Sequence, residues 1–336
     1  MDELYRRVFW RVRQGTIASI WFYGLICLAW LVFRSIFFDR LWWLAILNTT
    51  AFYGFLPLLV LLPLAAWLRR WRLVSLLSVL LAVFLSWYGA LFLPASPSNA
   101  SGPSVTVMSF SLAGNNPNYD AIAQRIKASA PDILGLQEVT PAALQVLMRE
   151  LSSIYAYVAA HPAPGQPTVA LFSRIPIQSA AALPNPPFER VLEAKLQVDQ
   201  RPLSVFVAHL TPHDPPDFSL AELPQRTQQA YQQRQAEAVG LKQEIRKAAS
   251  TSVILCDCRM TDTSTAYAIL NEALSDSFQE AGWGFGHTRF ALDLPFPAQR
   301  TDYVWHTPNL ITTQASVEPE AGSDHLPLKA QLRWVR

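Results

Sequence analysis

The stretch VILCDCRM, residues 253–260, carries the strongest signal for the fold of this 336-residue chain. Its first half, Val253–Leu255, is apolar and branched, which is typical of a strand buried inside a sheet. The stretch ends with one carboxylate, Asp257, set between two cysteines and followed by Arg259. A charged group at the end of a buried strand is typical of a functional site, because the sheet holds it in a fixed position.

At four further places a polar or charged side chain stands at the end of an apolar run. These are Glu138 after residues 133–137, His209 after 204–208, Asp302 before 303–305, and Asp324 with His325 before 326–328. Strand-like runs therefore recur through the second part of the chain. Strands outnumber helices and several are spaced as hairpins, so we expect an α/β domain with mixed sheets rather than a doubly wound parallel sheet.

Periodicity predicts the other elements of this domain. Helices are expected to begin near Asn118, as N-cap, and at Thr140-Pro141. Two more are expected near residues 225–248 and 265–274. Strands are predicted at 105–110, 133–137, 168–173, 190–198, 203–210, 302–306 and 326–334.

The first 94 residues differ in composition from the rest. They hold nine Arg, no Lys and three acidic residues, whereas the remainder holds 18 Lys plus Arg against 22 Asp plus Glu. Three apolar segments, at about 16–38, 41–68 and 73–93, are each long enough to cross a bilayer, which takes about 20 residues. We therefore predict a membrane region over residues 1–93 with three transmembrane helices, a linker rich in Pro and Ser at 94–104, and a domain at 105–336.

The positions of the arginines predict the orientation of this membrane region. Arginines precede the first span and lie between the second and third, whereas no charge follows the third span before Asp120. By the positive-inside rule the N-terminus is cytoplasmic and the domain at 105–336 is extracytoplasmic. We expect a multi-pass protein of the cytoplasmic (inner) membrane, with the lipid bilayer as its first partner.

The charge balance and the number of cysteines limit the classes of function that fit the domain. Its mildly acidic balance makes duplex nucleic acid a less favoured partner, because such proteins need a basic surface for the phosphates. The chain's three cysteines are too few for a disulfide framework. Cys256 and Cys258 point to the same face of a strand, and we expect two buried thiols, because a bridge between them would need strained geometry.

Taken together and in this order, the motifs resemble those of the endonuclease/exonuclease/phosphatase superfamily, which has the deoxyribonuclease-like fold. The resemblance covers about residues 104–336 and is closest to membrane-anchored bacterial members. Its most specific parts are the Gln-Glu pair and the Ser-Asp-His-x-Pro run. It implies a four-layer α/β sandwich of two mixed sheets with outer helices. The motifs are LQEV at 136–139, AHL at 208–210, LCDCRMT at 255–261, RTDYV at 300–304 and SDHLP at 323–327.

The resemblance also implies divalent-metal-dependent cleavage of phosphodiesters or phosphomonoesters. Glu138 would ligate Mg²⁺ or Mn²⁺, since hard cations favour carboxylate oxygens. Asp257 would orient or deprotonate the attacking water. His325, with Asp324 or Asp302 as its partner, would stabilise or protonate phosphate oxygens, and His209 would be a second histidine facing the phosphate.

The chain departs from the family pattern at two positions. The family's first strand ends in Asn where this chain has Ser111, and the second residue after Asp257, also Asn in the family, is Arg259. Either Arg259 binds the substrate phosphate bidentately, or it pairs with the carboxylates of the site and weakens metal binding and catalysis. Either Asn115 or Asn116 could supply the amide missing at Ser111.

These observations support two hypotheses of different classes. The first is a membrane-tethered, metal-dependent phosphodiesterase or phosphatase that acts at the outer face of the cytoplasmic membrane. Tethering favours a substrate at the bilayer surface, such as a phospholipid headgroup. The second is a pseudoenzyme that serves as a binding or assembly subunit of a membrane complex, and the two Asn replacements favour it.

Overall fold

A computed structural model describes residues 2–93, 100–114, 116–161, 167–212, 219–248, 250–291 and 294–335, without the side chains of Asp2 and Leu4. The chain divides into two compact units, Met1–Ala90 and Leu91–Arg336. Of the predicted linker, residues 94–99 lie outside the described residues, and Ser104 already belongs to the first strand.

The N-terminal unit is built from apolar helices. Two segments, Tyr5–Phe37 and Trp71–Phe92, are long and apolar enough to cross a membrane, and a bent pair, Trp42–Thr49 with Ala51–Trp67, makes a third if it counts as one span. The helices are α1 (Asp2–Phe37), α2 (Trp42–Thr49), α3 (Ala51–Phe55), α4 (Leu58–Trp67) and α5 (Trp71–Tyr88), followed by a 3₁₀ turn at Gly89–Phe92.

The middle segment is broken rather than continuous. Its two parts meet at 72°. At the break the hydroxyls of Thr49 and Thr50 bond back to the carbonyls of Ala45 (3.0 Å) and Ile46 (3.2 Å). Hydroxyls that bond to the preceding turn are known to bend helices, which accounts for a break in an otherwise apolar stretch.

The C-terminal unit is an α/β sandwich of two mixed six-stranded sheets with flanking helices, which confirms the predicted fold. The strands are β1 (Ser104–Ser111), β2 (Ile133–Val139), β3 (Tyr157–Ala160), β4 (Thr168–Ser173), β5 (Ile177–Ala182), β6 (Val191–Val198), β7 (Arg201–His209), β8 (Thr251–Asp257), β9 (Ser275–Asp276), β10 (Arg289–Phe290), β11 (Pro297–Gln299), β12 (Asp302–His306), β13 (Leu310–Val317) and β14 (Leu328–Trp334). The helices are α6 (Tyr119–Ser129), α7 (Pro141–Glu150), α8 (Leu223–Ala248), α9 (Thr265–Asn271) and α10 (Ser277–Ala281).

The first sheet has the order β13-β14-β1-β2-β4-β3 and the second the order β5-β6-β7-β8-β12-β9, while β10 and β11 form a separate ribbon. Side chains from the outer face of the first sheet pack with those of α6 and α7, among them Leu134, Ile122 and Leu147. The outer face of the second sheet packs in the same way against α8 and α9. The four layers therefore run helix, sheet, sheet, helix.

The inner faces of the two sheets approach each other closely. A Cβ atom on Gly135 would lie 2.7 Å from Cβ of Leu255 and 3.3 Å from Cγ1 of Val207. Beside this contact, the Gln137 amide donates to Ser109 Oγ (3.1 Å) and, across the sandwich, to the carbonyl of Leu255 (3.1 Å). Gly135 and Gln137 thus bring the centre of β2 against the centre of β8.

Candidate functional site

Three buried side chains of the second sheet lie in a row where its central strands meet. Strands β7 and β8 are parallel, with His209 opposite Asp257, and β12 is antiparallel to β8, with Asp302 opposite Asp257. All three residues are buried. Because adjacent strands lie about 4.8 Å apart, this register alone brings the imidazole and both carboxylates together.

Glu138 reaches this row from the other sheet through a β-bulge. Two residues of β2, Gln137 and Glu138, lie between the pairs Leu136 with Ala170 and Val139 with Thr168. Glu138 also has a φ of 54°, which is uncommon for a residue other than glycine. A bulge changes the direction of the side chain it carries. The side chain of Glu138 therefore points away from the helix-covered face of the sheet, on which Leu136 lies.

The carboxylate of Glu138 is held by three groups. Its Oε2 accepts the backbone N–H of Gly114 at 2.8 Å. Its Oε1 lies 3.5 Å from Nε2 of His209 and accepts a short hydrogen bond from Nη2 of Arg259. Burial opposes ionisation of Glu138, but the imidazole of His209, the guanidinium of Arg259 and the N–H of Gly114 together outweigh that effect and lower its pKa below the usual value.

His325 forms a buried pair with Asp302. Its Nδ1 lies 2.7 Å from Asp302 Oδ2, which also accepts the hydroxyl of Thr288 at 2.6 Å. Its Nε2 lies 3.8 Å from Oδ2 of Asp257. Burial opposes the charged imidazole, but the carboxylates of Asp302 and Asp257 raise the pKa of His325 to about 9. The ring is therefore protonated at pH 7.

His209 has the opposite protonation state. Burial lowers the pKa of His209 to about 4, so its ring is neutral at pH 7. Its Nε2 lies 3.5 Å from Glu138 and 3.7 Å from Asp257. Neither ring nitrogen has a hydrogen-bond partner among the described residues. A neutral imidazole in this position can donate to a ligand or coordinate a cation.

Arg259 lies between the two carboxylates on which the site depends. Besides its bond to Glu138, its Nε lies 3.0 Å from Oδ2 of Asp257, and its side chain is only 7% exposed. Burial opposes ionisation of Asp257, yet Arg259 above all, and then His325, hold the pKa of Asp257 far below its usual value. Of the two arrangements that the sequence left open for Arg259, the structure contains the pairing with carboxylates.

Among the described residues, neither Ser111 nor Asn116 supplies the amide that the family has at position 111. Ser111 is buried, its carbonyl accepts the hydroxyl of Ser323 (2.8 Å), and its own Oγ has no partner within the described part of the chain. Asn115 lies outside the described residues. Asn116 bonds within its own loop, through Nδ2 to the carbonyl of Leu112 (3.1 Å) and through Oδ1 to the N–H of Asn118 (2.8 Å). Its amide is therefore engaged away from the carboxylates.

Asp324 takes no part in the cluster. It is exposed, its carboxylate lies 3.5 Å from the hydroxyl of Ser323, and its carbonyl accepts the N–H of Phe290. The structure thus brings Asp302, and not the adjacent Asp324, to His325. Sequence reasoning missed Thr288, just before β10, and Arg289, in β10, which approach Asp302 and His325. No motif marks these two residues, because their place depends on the pairing of distant segments.

The expectation of two free thiols beside Asp257 was wrong. Cys256 and Cys258 form a disulfide, with Cα atoms 5.1 Å apart. That distance falls within the usual range of about 4.4–6.8 Å. The strand ends at Asp257, so Cys258 lies just beyond the regular part of β8, where its N–H bonds to the carbonyl of Thr301. Both cysteines pack in the core between the second sheet and its helices.

The described residues contain two groups of side chains that could hold a metal ion, each with its donor atoms within 4.8 Å of one another: Glu138, His209 and Asp257, and Asp257, Asp302 and His325. The protonated His325 is unsuited as a ligand. The first group offers two hard carboxylate oxygens, which fit a divalent cation such as Mg²⁺ or Mn²⁺. The guanidinium of Arg259 binds the same two carboxylates, so a cation fits this group when Arg259 turns away.

Comparison with known families agrees with this fold. Residues 99–325 match the sequence model of the Endonuclease/Exonuclease/phosphatase family. This match spans most of the chain, and the chain therefore belongs to that family, as its motifs had indicated. Among curated proteins, none matches the chain significantly by sequence.

Solved structures share this fold over about two thirds of the chain. An endonuclease/exonuclease/phosphatase from Bacteroides vulgatus superposes with a TM-score of 0.58 at 18% identity, covering 69% of this chain and 99% of that one. The mannosyl-6-phosphatase of Bacteroides thetaiotaomicron gives a TM-score of 0.55 at 15% identity, with 68% and 100% covered. TDP2 of D. rerio, solved with a single-stranded DNA product, gives 0.55 at 15% identity, with 68% and 99% covered. At such identities the likeness shows the fold alone.

Proposed function

We propose that this protein is a divalent-metal-dependent phosphoester hydrolase, tethered by its N-terminal helices and acting at the outer face of the cytoplasmic membrane. The observation that carries the proposal is the buried cluster in which Glu138, His209 and Asp257 meet the pair of His325 and Asp302. Family membership and the extracytoplasmic orientation indicated by the arginines add support.

The protonation states of the cluster suit hydrolysis of a phosphoester. Asp257 is ionised and can align a water by accepting its hydrogen bond, although its lowered pKa makes it a weak base. His325 is protonated, held by Asp302, and can donate from Nε2 to a phosphate oxygen. The neutral His209 can donate a further hydrogen bond. Charged donors and acceptors that are already buried and oriented stabilise developing charge without reorganisation.

Mg²⁺ or Mn²⁺, held by Glu138 together with Asp257 and His209, would supply positive charge to the phosphate oxygens when bound. Arg259 would then leave Glu138 and could turn its guanidinium to the phosphate, for which its planar fork is suited. Serine at position 111 offers a hydroxyl in place of the family's amide, on a side chain whose Oγ is unbonded within the described residues.

A second candidate function rests on one observation, the contact of Arg259 with both Glu138 and Asp257. If that arrangement persists in solution, the guanidinium takes the place of the metal. The domain would then bind a phosphoester anion through Arg259 and His325 without hydrolysing it, as the binding or assembly subunit of a membrane complex.

Hydrolysis by the full-length protein in lipid nanodiscs distinguishes the two candidates. Bis(p-nitrophenyl) phosphate serves as the diester and p-nitrophenyl phosphate as the monoester, each with Mg²⁺, with Mn²⁺ and with EDTA. We expect a metal-dependent rate that Asp257→Asn and His325→Gln each reduce by at least about 100-fold. Glu320→Gln, at an exposed carboxylate outside the cluster, is the matched control and should keep the rate.

If the native protein shows no metal-dependent rate above those of Asp257→Asn and His325→Gln, the hydrolase is excluded. If Ser111→Asn combined with Arg259→Asn then gains a metal-dependent rate, the native residues silence the site and the binding subunit is favoured. A rate in the native protein that the double substitution leaves unchanged supports the hydrolase.

A further inference from the structure

The loop at residues 282–288, between α10 and β10, carries two aromatic rings on the surface of the sandwich. Trp283 is 74% exposed. Phe285 is two residues further on, and both rings line a cavity of about 500 Å³ together with Val317 and Leu326. Trp283 therefore lies on the surface, and the half-buried Phe285 borders the same cavity.

This loop is joined to the residues that enter the C-terminal unit. The ring of Phe92 lies 5.8 Å from that of Trp283 and 4.8 Å from that of Phe285, both edge to face. The carbonyl of Leu91 accepts the N–H of Gly284 at 2.8 Å. Leu91 and Phe92 belong to the same compact unit as the loop, so these contacts are internal to that unit.

Four apolar side chains lie at this place: the three aromatic rings joined through Phe92, and Leu93, the residue after Phe92. Phe92 is 41% exposed and Leu93, which follows it, is 64% exposed. Single exposed hydrophobic residues are common on soluble domains, but a contiguous group marks a surface that contacts a partner or a membrane. The patch formed by Phe92, Leu93, Trp283 and Phe285 is called the aromatic patch below.

The identity of what covers the aromatic patch follows from Phe92, which is the last residue of the candidate membrane span Trp71–Phe92. The end of a spanning helix lies at the interface between hydrocarbon and water, where aromatic rings are favoured. We propose that Trp283 and Phe285, by their contact with Phe92, insert into the headgroup layer of the bilayer and anchor the domain there. The proposal rests on the membrane tether of the proposed function.

The anchor has a consequence for the substrate. The loop runs directly into Thr288 and Arg289, of which Thr288 bonds Asp302 and Arg289 forms a β-bridge with His325. Three residues span at most about 11 Å, so Thr288 lies no further than that from Phe285. The cluster is then held beside the headgroups, and the substrate class we infer is a phosphoester carried by a membrane lipid.

Fluorescence quenching in nanodiscs tests the anchor without reference to activity. An environment-sensitive label is attached to single cysteines in a Cys27→Ala background, in bilayers with or without headgroup-proximal doxyl lipid. Trp283→Cys reports the patch, Met148→Cys on α7 is an exposed control in the same unit, and Val32→Cys in α1 reports the tether. We expect doxyl lipid to quench the labels at 283 and 32 at least about twofold more than the label at 148.

Quenching of the label at residue 32 but not at residue 283 overturns the anchor and leaves the tether intact. The same result is expected if another protein, rather than lipid, covers the aromatic patch. Absence of quenching at both positions removes the tether and the anchor together. As a second measurement, Trp283→Ser with Phe285→Ser should lower hydrolysis of a phospholipid in nanodiscs by about tenfold or more. The same variant should keep its rate on soluble bis(p-nitrophenyl) phosphate, and an equal loss on both substrates contradicts an interfacial role.

Discussion

Arg259 sets the chemistry of the cluster more than any other residue, because it binds the carboxylates that a cation would use. We expect Arg259→Asn to raise the affinity for Mn²⁺ by at least about tenfold, since the variant removes a like charge from the ligand group. Isothermal titration calorimetry measures this directly. Arg259→Lys keeps the charge and should bind Mn²⁺ as weakly as the native protein. Equal affinity in all three proteins would mean that the guanidinium does not compete with the metal.

Asp302 rather than Asp324 should control the protonation of His325. NMR titration of the ring should give a pKa of about 9 in the native protein. Asp302→Asn should move this pKa down by at least about one unit, because the adjacent carboxylate favours the charged ring, whereas Asp324→Asn should leave it in place. The attraction between the charged ring of His325 and Asp302 therefore stabilises the fold fully below about pH 6.5. This stabilisation is lost as pH rises through about 9. A larger shift in Asp324→Asn would refute the pairing.

Glu237 on α8 is a buried acid outside the cluster. Its carboxylate accepts the N–H (2.9 Å) and hydroxyl (3.1 Å) of Thr211, two residues after His209. Burial dominates and raises the pKa of Glu237 to about 7 from 4.5. Between these values the folded chain keeps a proton that the unfolded chain has lost, so this group makes stability fall as pH rises from about 4.5 to 7.

We therefore expect Glu237→Gln to unfold at a higher temperature than the native protein at pH 8, because the amide carries no buried charge. Thermal unfolding of both proteins at pH 4 and pH 8 measures the effect, which should shrink toward pH 4. A variant that is less stable at pH 8 would show that the ionised carboxylate is needed to hold Thr211.

At the scale of elements, the contact between β2 and β8 depends on the absence of a side chain at Gly135. Alanine at this position places its Cβ 2.7 Å from that of Leu255, and neither backbone can move without shifting its sheet. We expect Gly135→Ala to lower the free energy of unfolding by about 1–3 kcal/mol, the usual cost of overpacking a core. Chemical denaturation measures it, and an unchanged midpoint would show that the sheets can separate.

The sequence predicted the elements best where they are buried. Strands β2, β4 and β12 were placed to within two residues at each end, and β8 to within three, because they are continuous apolar runs. The edge strands β5 and β13 were missed, since IQSAAA is exposed along most of its length and LITTQASV is only partly buried, so both lack that signal. The residues of the cluster were recognised by motif, but the bulge that turns Glu138 and the bond between Cys256 and Cys258 depend on three-dimensional pairing.

For the whole molecule, the orientation of the chain in the membrane is the decisive prediction. A membrane-impermeant maleimide added to intact cells should react with Glu320→Cys in the domain and not with Trp71→Cys, which lies beside the arginine-rich loop between spans. The Cys27→Ala background excludes the native thiol, and lysis should make residue 71 reactive. Labelling of residue 71 alone in intact cells would contradict the prediction of the positive-inside rule that this loop is cytoplasmic.

The pairing of β1 bears on how the domain is made. Strand β1 lies between β2 and β14, with Ser104 opposite Arg333. During synthesis the edge of β1 that faces β14 stays open until residues 328–334 have emerged, and an open strand edge invites pairing with other chains. The sandwich can therefore close only after nearly all of its length has been synthesised. A ribosome that stalls before Leu328 would leave behind an aggregation-prone fragment rather than a partly working domain.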